Sequence, residues 1–494
     1  MEATHTTITQ ESEVCPPPPK SMFSRIPGLD PTDDIGKLTH FIDFAQKVSK
    51  YEEEDSDFAL VENKLQSKSK VLSRRGIFQN KAVAQKARQP TAPQQKSAQP
   101  QQRVPVKRIF REFSVPIKGE WPVVAELGKQ NVDKLSYDPP APIDISQYSS
   151  VFQYNKNLDN SYRKNPIKLN TDEDSFIVPG SEAPANFTNV STTSADPVMR
   201  ELIENNAGQV FITDVILAAI MTMTRSVYPW DVLITKKSDG KVIFDKSNDS
   251  ALEKITANEN AAENMPDEDE PEDSPKHPKK LMDEALRVNR AFFLASVRPP
   301  PSSLGSDHPT DAETPGHAPI AYKYRKWKLY DDTEVVVRTE IDAYIREESK
   351  ISYAKVFAVN EYDSKITGGY RSQLESHRGQ VLGTEYKNNS CKLSKWAIRG
   401  LLSGAEYVKL GFISRENFSR TRNHELFYVH SFRTPELAGH LNLNYQNCWG
   451  VFRSIVDTLK QSPEGKYLLI RDPNKLVVRI YSMTEQEKEE EKFN

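Results

Sequence analysis

The stretch AYKYRKWKLYDDTEVVVRTEIDAYI, residues 321–345, decides the fold class of this 494-residue chain. Aromatic and basic residues alternate from Tyr322 to Leu329, and apolar and polar residues alternate from Glu334 to Ile345. Successive side chains of a strand point to opposite faces of its sheet, so each alternation predicts a β-strand.

Helical patterns are mixed with further strand patterns along the chain. Asp196 and Pro197 suit the N-cap and the first turn of a helix that Gly208 ends. The other predicted helices are Val215–Met223, capped by Thr213 and Asp214, and Met282–Ala295, Leu393–Leu402 and Asn447–Leu459. The other predicted strands are Val232–Ile234, Val242–Phe244, Gln380–Tyr386, Val408–Ile413, Tyr467–Ile470 and Leu476–Tyr481.

This mixture predicts an α+β fold with one large mixed-sheet domain over residues 106–483. We expect a disordered, low-complexity, basic-rich arm over residues 1–105, because this part holds few large apolar residues. We expect an acidic tail over residues 484–494.

Charge is segregated, although the formal net charge is only −3. Residues 63–111 hold 13 Lys or Arg and no Asp or Glu, which predicts either a solvated linker or an arm that contacts phosphates. Residues 253–273 hold nine Asp or Glu and a single Lys. They predict an insertion at about 251–279 that is either simply solvated or covers a basic groove by mimicking nucleic acid.

Two pairs of charged residues are candidates for a metal site. Glu340 and Asp342 lie two positions apart on one predicted strand, and Glu385 and Lys387 do so on another. Residues two apart share a strand face, so neighbouring strands would bring three carboxylates and a lysine together. Such a set suits a divalent cation and phosphate chemistry. The alternative is a solvated or ion-paired strand face.

Basic residues interleaved with aromatic residues suit RNA, because bases stack on rings and phosphates need cations. Candidates for contacts to the RNA backbone are therefore Lys323, Arg325, Lys326 and Lys328. The alternative is that the rings belong to the core. The segment RSVYPWD, residues 225–231, combines an arginine, aromatic rings and an acid, as the recognition of a methylated cap guanine requires. Its alternative is a packed strand entry.

Several protein classes are excluded by what the sequence lacks. The 3 cysteines are far apart, which argues against a disulfide framework and a CxxC zinc site and for a reducing compartment. The sequence contains no Walker A, GxGxxG, HExxH or GxSxG motif. No apolar run approaches the roughly 20 residues that span a bilayer, and the first residues do not resemble a secretory signal. We expect a cytoplasmic protein with no cofactor and no membrane partner.

Several motifs carry a resemblance to one family. They are GQVFITDVILA (208–218), TRSVYPWD (224–231), YKYRKWKL (322–329), TEYKNNS (384–390), EGKYL (464–468) and DPNK (472–475). In these motifs, and in order from about Phe58 to Tyr481, the chain resembles the d subunits of eukaryotic translation initiation factor 3. The resemblance implies the fold of decapping exoribonucleases and a non-catalytic subunit that binds the 7-methylguanosine cap of selected messengers.

The resemblance also implies site residues. The cap region matches at Asp214, Val227 and Tyr228, and a second helix matches at Leu286, Asn289 and Arg290, where only Asn289 keeps the residue type of the family. An RNA gate, which restricts access before assembly, corresponds to Ala251, Leu252, Glu253, Lys254, Ile255, Thr256, Ala257, Asn258, Glu259, Asn260, Ala261, Ala262, Glu263, Asn264 and Met265. The family docks on subunit e through its arm, which matches here at Phe58, Leu60 and Val61.

The partners implied are the other subunits of initiation factor 3, the small ribosomal subunit and capped mRNA. Glu340, Asp342, Glu385 and Lys387 then correspond to the metal site of the related nucleases, and we interpret them as an inherited scaffold that holds no metal. Two alternatives stay open. One is a metal-dependent cap hydrolase or 5′ exoribonuclease that uses these four residues, and the other is a purely structural subunit without cap binding.

Overall fold

The computed structural model describes residues 112–483, apart from 182–183, 186, 188–191, 227, 248–249, 251, 253–270, 310–317, 331 and 349. The predicted arm and tail lie outside the described residues, and so do Phe58, Leu60 and Val61. No helix in the described part of the chain is both long and apolar enough to cross a membrane.

The described chain contains sixteen strands in two mixed sheets, as the α+β prediction requires. The strands are β1 (Val123–Gly128), β2 (Ile143–Tyr148), β3 (Ser150–Tyr154), β4 (Ile167–Asn170), β5 (Val210–Thr213), β6 (Asp231–Lys236), β7 (Val242–Asp245), β8 (Val297–Ser303), β9 (Ala321–Tyr330), β10 (Thr333–Ile341), β11 (Ala343–Glu347), β12 (Lys350–Glu361), β13 (Tyr407–Arg415), β14 (Asn423–Arg433), β15 (Gly465–Arg471) and β16 (Val477–Ser482). The first sheet has the order β1-β16-β15-β6-β7-β5-β10-β9-β2, and the second has the order β4-β14-β13-β12-β11-β3-β8.

Ten α-helices lie in the described residues. They are α1 (Lys129–Val132), α2 (Pro197–Glu204), α3 (Asp214–Met221), α4 (Pro278–Ser296), α5 (Ser364–Thr367), α6 (Tyr370–Gln373), α7 (Arg378–Asn388), α8 (Ser390–Ser403), α9 (Thr434–His440) and α10 (Tyr445–Gln461). The predicted cap of α2 is confirmed, because the Asp196 carboxylate accepts hydrogen bonds from the backbone N–H groups of Val198 and Met199. The helices predicted at α3, α4, α8 and α10 are also confirmed, as are the antiparallel pairs β6–β7 and β15–β16.

Two predicted strands are wrong. Residues 380–386 form part of helix α7 and not a strand. Val381 and Glu385, four residues apart, are both buried on one face of this helix. The buried positions therefore recur with the period of a helix and not with that of a strand. The strand predicted over Glu334–Ile345 is two strands, because the chain leaves the first sheet after β10 and enters the second sheet at β11.

Helix α8 lies between the two sheets and packs on both. Ile398 and Leu402 join the core of the first sheet, together with side chains of β5, β10, α3 and α10. Leu393, Trp396 and Ala397 join the core of the second sheet, together with side chains of β12 and β13. Helix α4 covers the opposite face of the second sheet, where Phe292 packs among apolar side chains of β11 and β12.

We predict that Gly450 in α10 cannot carry a side chain. A Cβ atom at this position would lie 2.5 Å from the backbone nitrogen of Ser136. We expect Gly450→Ala to lower the free energy of unfolding by about 1–3 kcal/mol, measured by urea unfolding. The control is Gly383→Ala in α7, where no atom lies within 4 Å of the added Cβ. It should be neutral or stabilising by up to about 1 kcal/mol, and equal effects of the two variants would contradict this packing.

Candidate functional site

The chain crosses between the sheets at a group of buried charges, which we call the buried charge cluster. It consists of three carboxylates and three cations: Asp214, Glu340, Asp342, Arg338, Lys355 and Arg399. Asp214 follows β5 directly, and Glu340 lies near the end of β10, a strand that pairs in parallel with β5. In mixed sheets the carboxyl ends of neighbouring parallel strands are a common position for binding sites.

Arg399 of helix α8 links the two carboxylates nearest to it. Its Nε lies 3.1 Å from Asp214 Oδ2, and its Nη2 lies 2.5 Å from Glu340 Oε2. The side chains of Arg399 and Glu340 are 16% and 15% exposed, whereas that of Asp214 is fully buried. A ligand arriving from solvent would therefore meet Arg399 and Glu340 before Asp214.

The pKa values of the two carboxyls that share Arg399 are shifted in opposite directions. Burial raises the pKa of Asp214, and Arg399 offsets only part of that rise. Asp214 Oδ1 is buried without a hydrogen-bond partner. Burial also acts to raise the pKa of Glu340, but Arg399, Lys355 and Arg338 outweigh it and lower that pKa to about 2. Glu340 is therefore ionised at neutral pH.

Asp342 is held by groups of strand β12. Its Oδ1 contacts the ammonium of Lys355, and its Oδ2 accepts a hydrogen bond of 2.7 Å from the backbone N–H of Val356. The Lys355 ammonium also donates to the carbonyl of Glu340 at 3.2 Å. Both oxygens of Asp342 are thus engaged at the point where the chain turns into the second sheet.

The four residues of the predicted metal site do not lie on two neighbouring strands, because Glu385 and Lys387 belong to helix α7. Glu385 lies on α7, where it accepts hydrogen bonds from Tyr370 Oη at 2.6 Å and from Asn389 Nδ2 at 2.7 Å. Lys387 is exposed, because positions two apart on a helix are rotated by about 200° and cannot share a face. Among the residues that the structure describes, no three His, Cys, Asp or Glu side chains are grouped to hold a metal ion.

The basic and aromatic strand β9 puts its rings into the core. Tyr322, Tyr324 and Trp327 are buried. The cations of β9 differ in how far the protein engages them. Lys323 is buried, with its Nζ 4.4 Å from the ring of Tyr353. Arg325 pairs with Asp144 at 2.7 Å and Lys326 pairs with Glu334 at 2.8 Å, whereas Lys328 is exposed. Of these four candidates for RNA contacts, Lys328 is the most accessible.

The predicted cap residues lie on several elements. Asp214 begins α3, and Tyr228 is half-buried in the segment that follows this helix. Val227 lies outside the described residues. The second predicted set lies on α4, which packs on the second sheet.

The residues of this second set have structural partners. The Asn289 amide donates to the carbonyls of Ala285 and Ala358 and accepts from the backbone N–H of Ala358. Arg290 pairs with Glu173 at 2.7 Å. Leu286 is half-buried. Asn289 thus ties α4 to strand β12.

Two arginines hold the segment of Tyr228: Arg225, the half-buried arginine of the RSVYPWD segment, and Arg471, a buried arginine that the sequence analysis did not single out. Arg225 donates to the carbonyls of Leu441 and Asn442 at 2.8 and 2.9 Å. Arg471 donates to the carbonyl of Ser226 at 2.8 Å, and burial lowers its pKa to about 10. Nothing in the sequence around Arg471 distinguishes it from a surface arginine.

The structure describes only the ends of the acidic insertion. Leu252 is the one predicted gate residue that is described, and it is buried in the core of the first sheet. The other fourteen gate residues lie outside the described residues. At the far end Arg415 donates to the carbonyl of Pro275 at 2.8 Å, and Lys276 pairs with Asp363 at 3.1 Å. The insertion therefore starts on the core of one sheet and ends against the other.

Comparison with known families gives a match over most of the chain. The profile of the family described as eukaryotic translation initiation factor 3 subunit 7 matches residues 34–482. This chain belongs to that family. The predicted family is thereby confirmed.

Relatives of this chain are named as the d subunit of eukaryotic translation initiation factor 3. The protein of Schizosaccharomyces pombe is 34% identical over 394 residues, and that of Xenopus laevis is 36% identical over 385 residues. Each comparison covers 76% of this chain and 66% of the relative. The chain thus spans just under two thirds of the length of these relatives.

Among solved structures, this chain is similar to Rai1 of Scheffersomyces stipitis, with a TM-score of 0.46 and 13% identity over 76% of this chain and 95% of that one. It is also similar to Candida albicans Rai1 in complex with pU5-Mn2+, with a TM-score of 0.43 and 13% identity over 73% and 93% of the two chains. Similarity at this level says nothing about the chemistry of the present chain.

We predict that removing Arg399 strongly destabilises this protein. Arg399→Met leaves the Asp214 and Glu340 carboxylates without their shared cation, so the free energy of unfolding at pH 7 should fall by about 3–5 kcal/mol. Without Arg399 the pKa values of both carboxyls rise, so protonation relieves the buried charge and the loss should shrink towards pH 5. Chemical unfolding at the two pH values measures both effects.

The control is Arg290→Met, which removes an arginine whose partner Glu173 has a side chain 55% exposed. Exposed ion pairs contribute about 0–1 kcal/mol, so the free energy of unfolding should fall much less in this variant than in Arg399→Met. A loss equal to that of Arg399→Met, or a deficit of Arg399→Met that grows at pH 5, would contradict the assignment.

Proposed function

We propose that this chain is a non-catalytic subunit of initiation factor 3 that acts in translation initiation and binds the 7-methylguanosine cap of selected mRNAs. The observation that carries the proposal is the family match over residues 34–482. We further propose that its partners are the other subunits of the factor, especially subunit e, together with the small ribosomal subunit, and that it acts in the cytoplasm.

The pairing of the carboxylates supports binding rather than cleavage. Glu340 is bonded by Arg399, and both oxygens of Asp342 are bonded by groups of β12. Glu385 accepts hydrogen bonds on both of its oxygens. A divalent cation would have to displace these partners, and hard-cation sites use carboxylate oxygens that protein cations do not already neutralise.

The exposed side of the buried charge cluster has the chemistry that a cap requires. Arg399 bonds Asp214 and Glu340 Oε2 through its Nε and Nη2, so its Nη1 is the guanidinium group that would meet a phosphate. Glu340 Oε1 is the carboxylate oxygen that would accept from the N–H groups of guanine. Tyr228 offers a ring on a segment that Arg225 and Arg471 hold in place. Asp214 then acts beneath them by fixing Arg399, and Lys328 is the strand residue best placed for the RNA backbone.

We propose that the acidic insertion restricts access to this side as a gate. The support is that its two ends are anchored on different sheets, at Leu252 and at Pro275, so the intervening chain joins one sheet to the other. Its nine acidic residues between 253 and 273 would repel RNA until the insertion is moved.

The cap proposal is tested by equilibrium binding of one RNA that carries either a 7-methylguanosine cap or a 5′ triphosphate. We expect the chain lacking residues 253–270 to prefer the capped RNA about tenfold or more, since ring stacking recognises the methylated base. Tyr228→Ala should abolish the preference, whereas Tyr137→Ala, a change at another half-buried tyrosine, should keep it. Equal affinities for the two RNAs would reject cap binding. Cleavage of the capped RNA in Mg²⁺ or Mn²⁺ that Glu385→Ala abolishes would favour a nuclease instead.

The docking proposal is tested by co-purification of subunit e with the full chain. Phe58→Asp, Leu60→Asp and Val61→Asp together should reduce the recovered subunit e about tenfold or more, because charges would replace the apolar docking side chains. The control places the same three charges at Ile77, Phe78 and Val83 in the same arm. Loss of subunit e from both variants, or from neither, would contradict the assigned segment.

A further inference from the structure

A second group of aromatic and basic side chains lies on elements that the proposed cap site does not use. It consists of Asn160, Arg378, Tyr386, Tyr428, His430 and His440, and we call it the Arg378 cluster. Arg378 and Tyr386 lie on α7, Tyr428 and His430 lie on β14, and His440 ends α9. We propose that the Arg378 cluster binds a phosphodiester of single-stranded RNA, at a position that does not depend on the 5′ end.

Arg378 is the cation of this cluster and has no acidic partner. Its guanidinium lies over the ring of Tyr428, with 4.3 Å between Cζ and the ring centroid. Its Nε is buried without a hydrogen-bond partner, and no carboxylate of the described residues pairs with it. A neighbouring arginine differs in this respect, since Arg371 pairs with Glu425 at 2.6 Å. Guanidinium N–H groups that lack an anion match the oxygens of a phosphate.

The hydrogen bonds around Tyr428 fix the orientation of His430. Asn160 Oδ1 accepts from the backbone N–H of Ser431 and must accept from Tyr428 Oη as well, because this oxygen has no hydrogen to donate. Tyr428 Oη thereby donates its only hydrogen, so its contact of 3.0 Å with His430 Nδ1 requires that Nδ1 carries a hydrogen. Burial, Arg378 and His440 lower the pKa of His430 to about 4, so the ring is neutral at pH 7.

A neutral ring with hydrogen on Nδ1 has an acceptor at Nε2. This acceptor would bind a hydroxyl or an N–H group that lies close to the anion held by Arg378. The ribose 2′-hydroxyl is such a donor and lies beside the phosphodiester in RNA. The geometry of His430 thus favours RNA over DNA at the same position.

The remaining members supply rings, and two carboxylates lie near them. Tyr386 Oη contacts His440 Nδ1 at 3.1 Å, and Glu436 Oε1 lies 3.9 Å from His440 Nε2, on a side chain that is 41% exposed. The nearby Asp159 is already bonded to Lys409 at 2.6 Å and to Tyr154 at 2.7 Å. Rings next to an uncompensated cation are the usual surface for single-stranded nucleic acid, whereas an acidic protein segment would need the cation alone.

The test uses a 12-nucleotide oligouridylate with a 5′ hydroxyl, so that neither a cap nor a triphosphate is present. Binding to the full chain is measured by fluorescence anisotropy over a range of salt concentrations. We expect Arg378→Ala to weaken binding about fivefold to tenfold and to reduce the salt slope by about 1. The matched control is Lys387→Ala, which removes the same charge from an exposed position of the same helix and should change binding less than about twofold.

Two further variants separate charge from geometry. Arg378→Lys keeps the charge but loses the planar guanidinium, so its affinity should lie between those of the wild type and Arg378→Ala. His430→Phe keeps a ring against Phe432 but removes the acceptor. The variant should therefore show a smaller difference in affinity between oligouridylate and oligodeoxyuridylate than the wild type does. Circular dichroism of each variant shows that the fold is kept.

Several results would overturn the inference. They are wild-type protein that does not bind oligouridylate, equal losses in Arg378→Ala and Lys387→Ala, and a loss that occurs only with capped RNA. Polyglutamate that binds as tightly as the RNA and is weakened equally by Arg378→Ala would assign the cluster to an acidic protein partner instead. The inference does not rest on cap binding, because an uncapped probe reports on it alone.

Discussion

The bond of Arg399 to Asp214 and Glu340 is the interaction on which the arrangement of the two sheets depends. Taking a carboxylate out of water costs several kcal/mol unless a cation accompanies it. Here the cation comes from helix α8, and the two carboxylates come from the ends of strands β5 and β10. The same helix packs its apolar faces on both sheets, so charge and packing specify one position for α8.

The same interaction explains why acidic residues in a nuclease-like pattern need not form a metal site. Arg399 lies 59 positions from Glu340, and Lys355 lies 13 positions from Asp342. Each brings one positive charge to a carboxylate. Together they neutralise the two negative charges that a divalent cation would neutralise in a metal site. The short pattern Glu340-x-Asp342 cannot reveal this, because the partners that decide its chemistry are distant in sequence.

The parts of the fold that could be predicted are those with a local cause. Alternating side chains identified β9, and Asp196 identified the start of α2, since each signal lies within a few residues. The break at Asp342 could not be predicted, because it depends on strand β12. The Val356 N–H of β12 donates to the Asp342 carboxylate, and β12 pairs with β11 in the second sheet. Asn289 was singled out for RNA but bonds Ala358 on a strand 69 positions away. Pairings of this kind depend on tertiary structure alone.

The pairing of β1 with β16 places the two ends of the described chain side by side. Val123 is opposite Tyr481, and the N–H of Ser482 bonds the carbonyl of Pro122 at 3.0 Å. Phe113 and Val115 pack in a cluster with side chains of β15 and β16. A circularly permuted form of this domain would therefore need only a short linker to join the old ends, and new ends could be opened at an exposed turn such as that between β6 and β7.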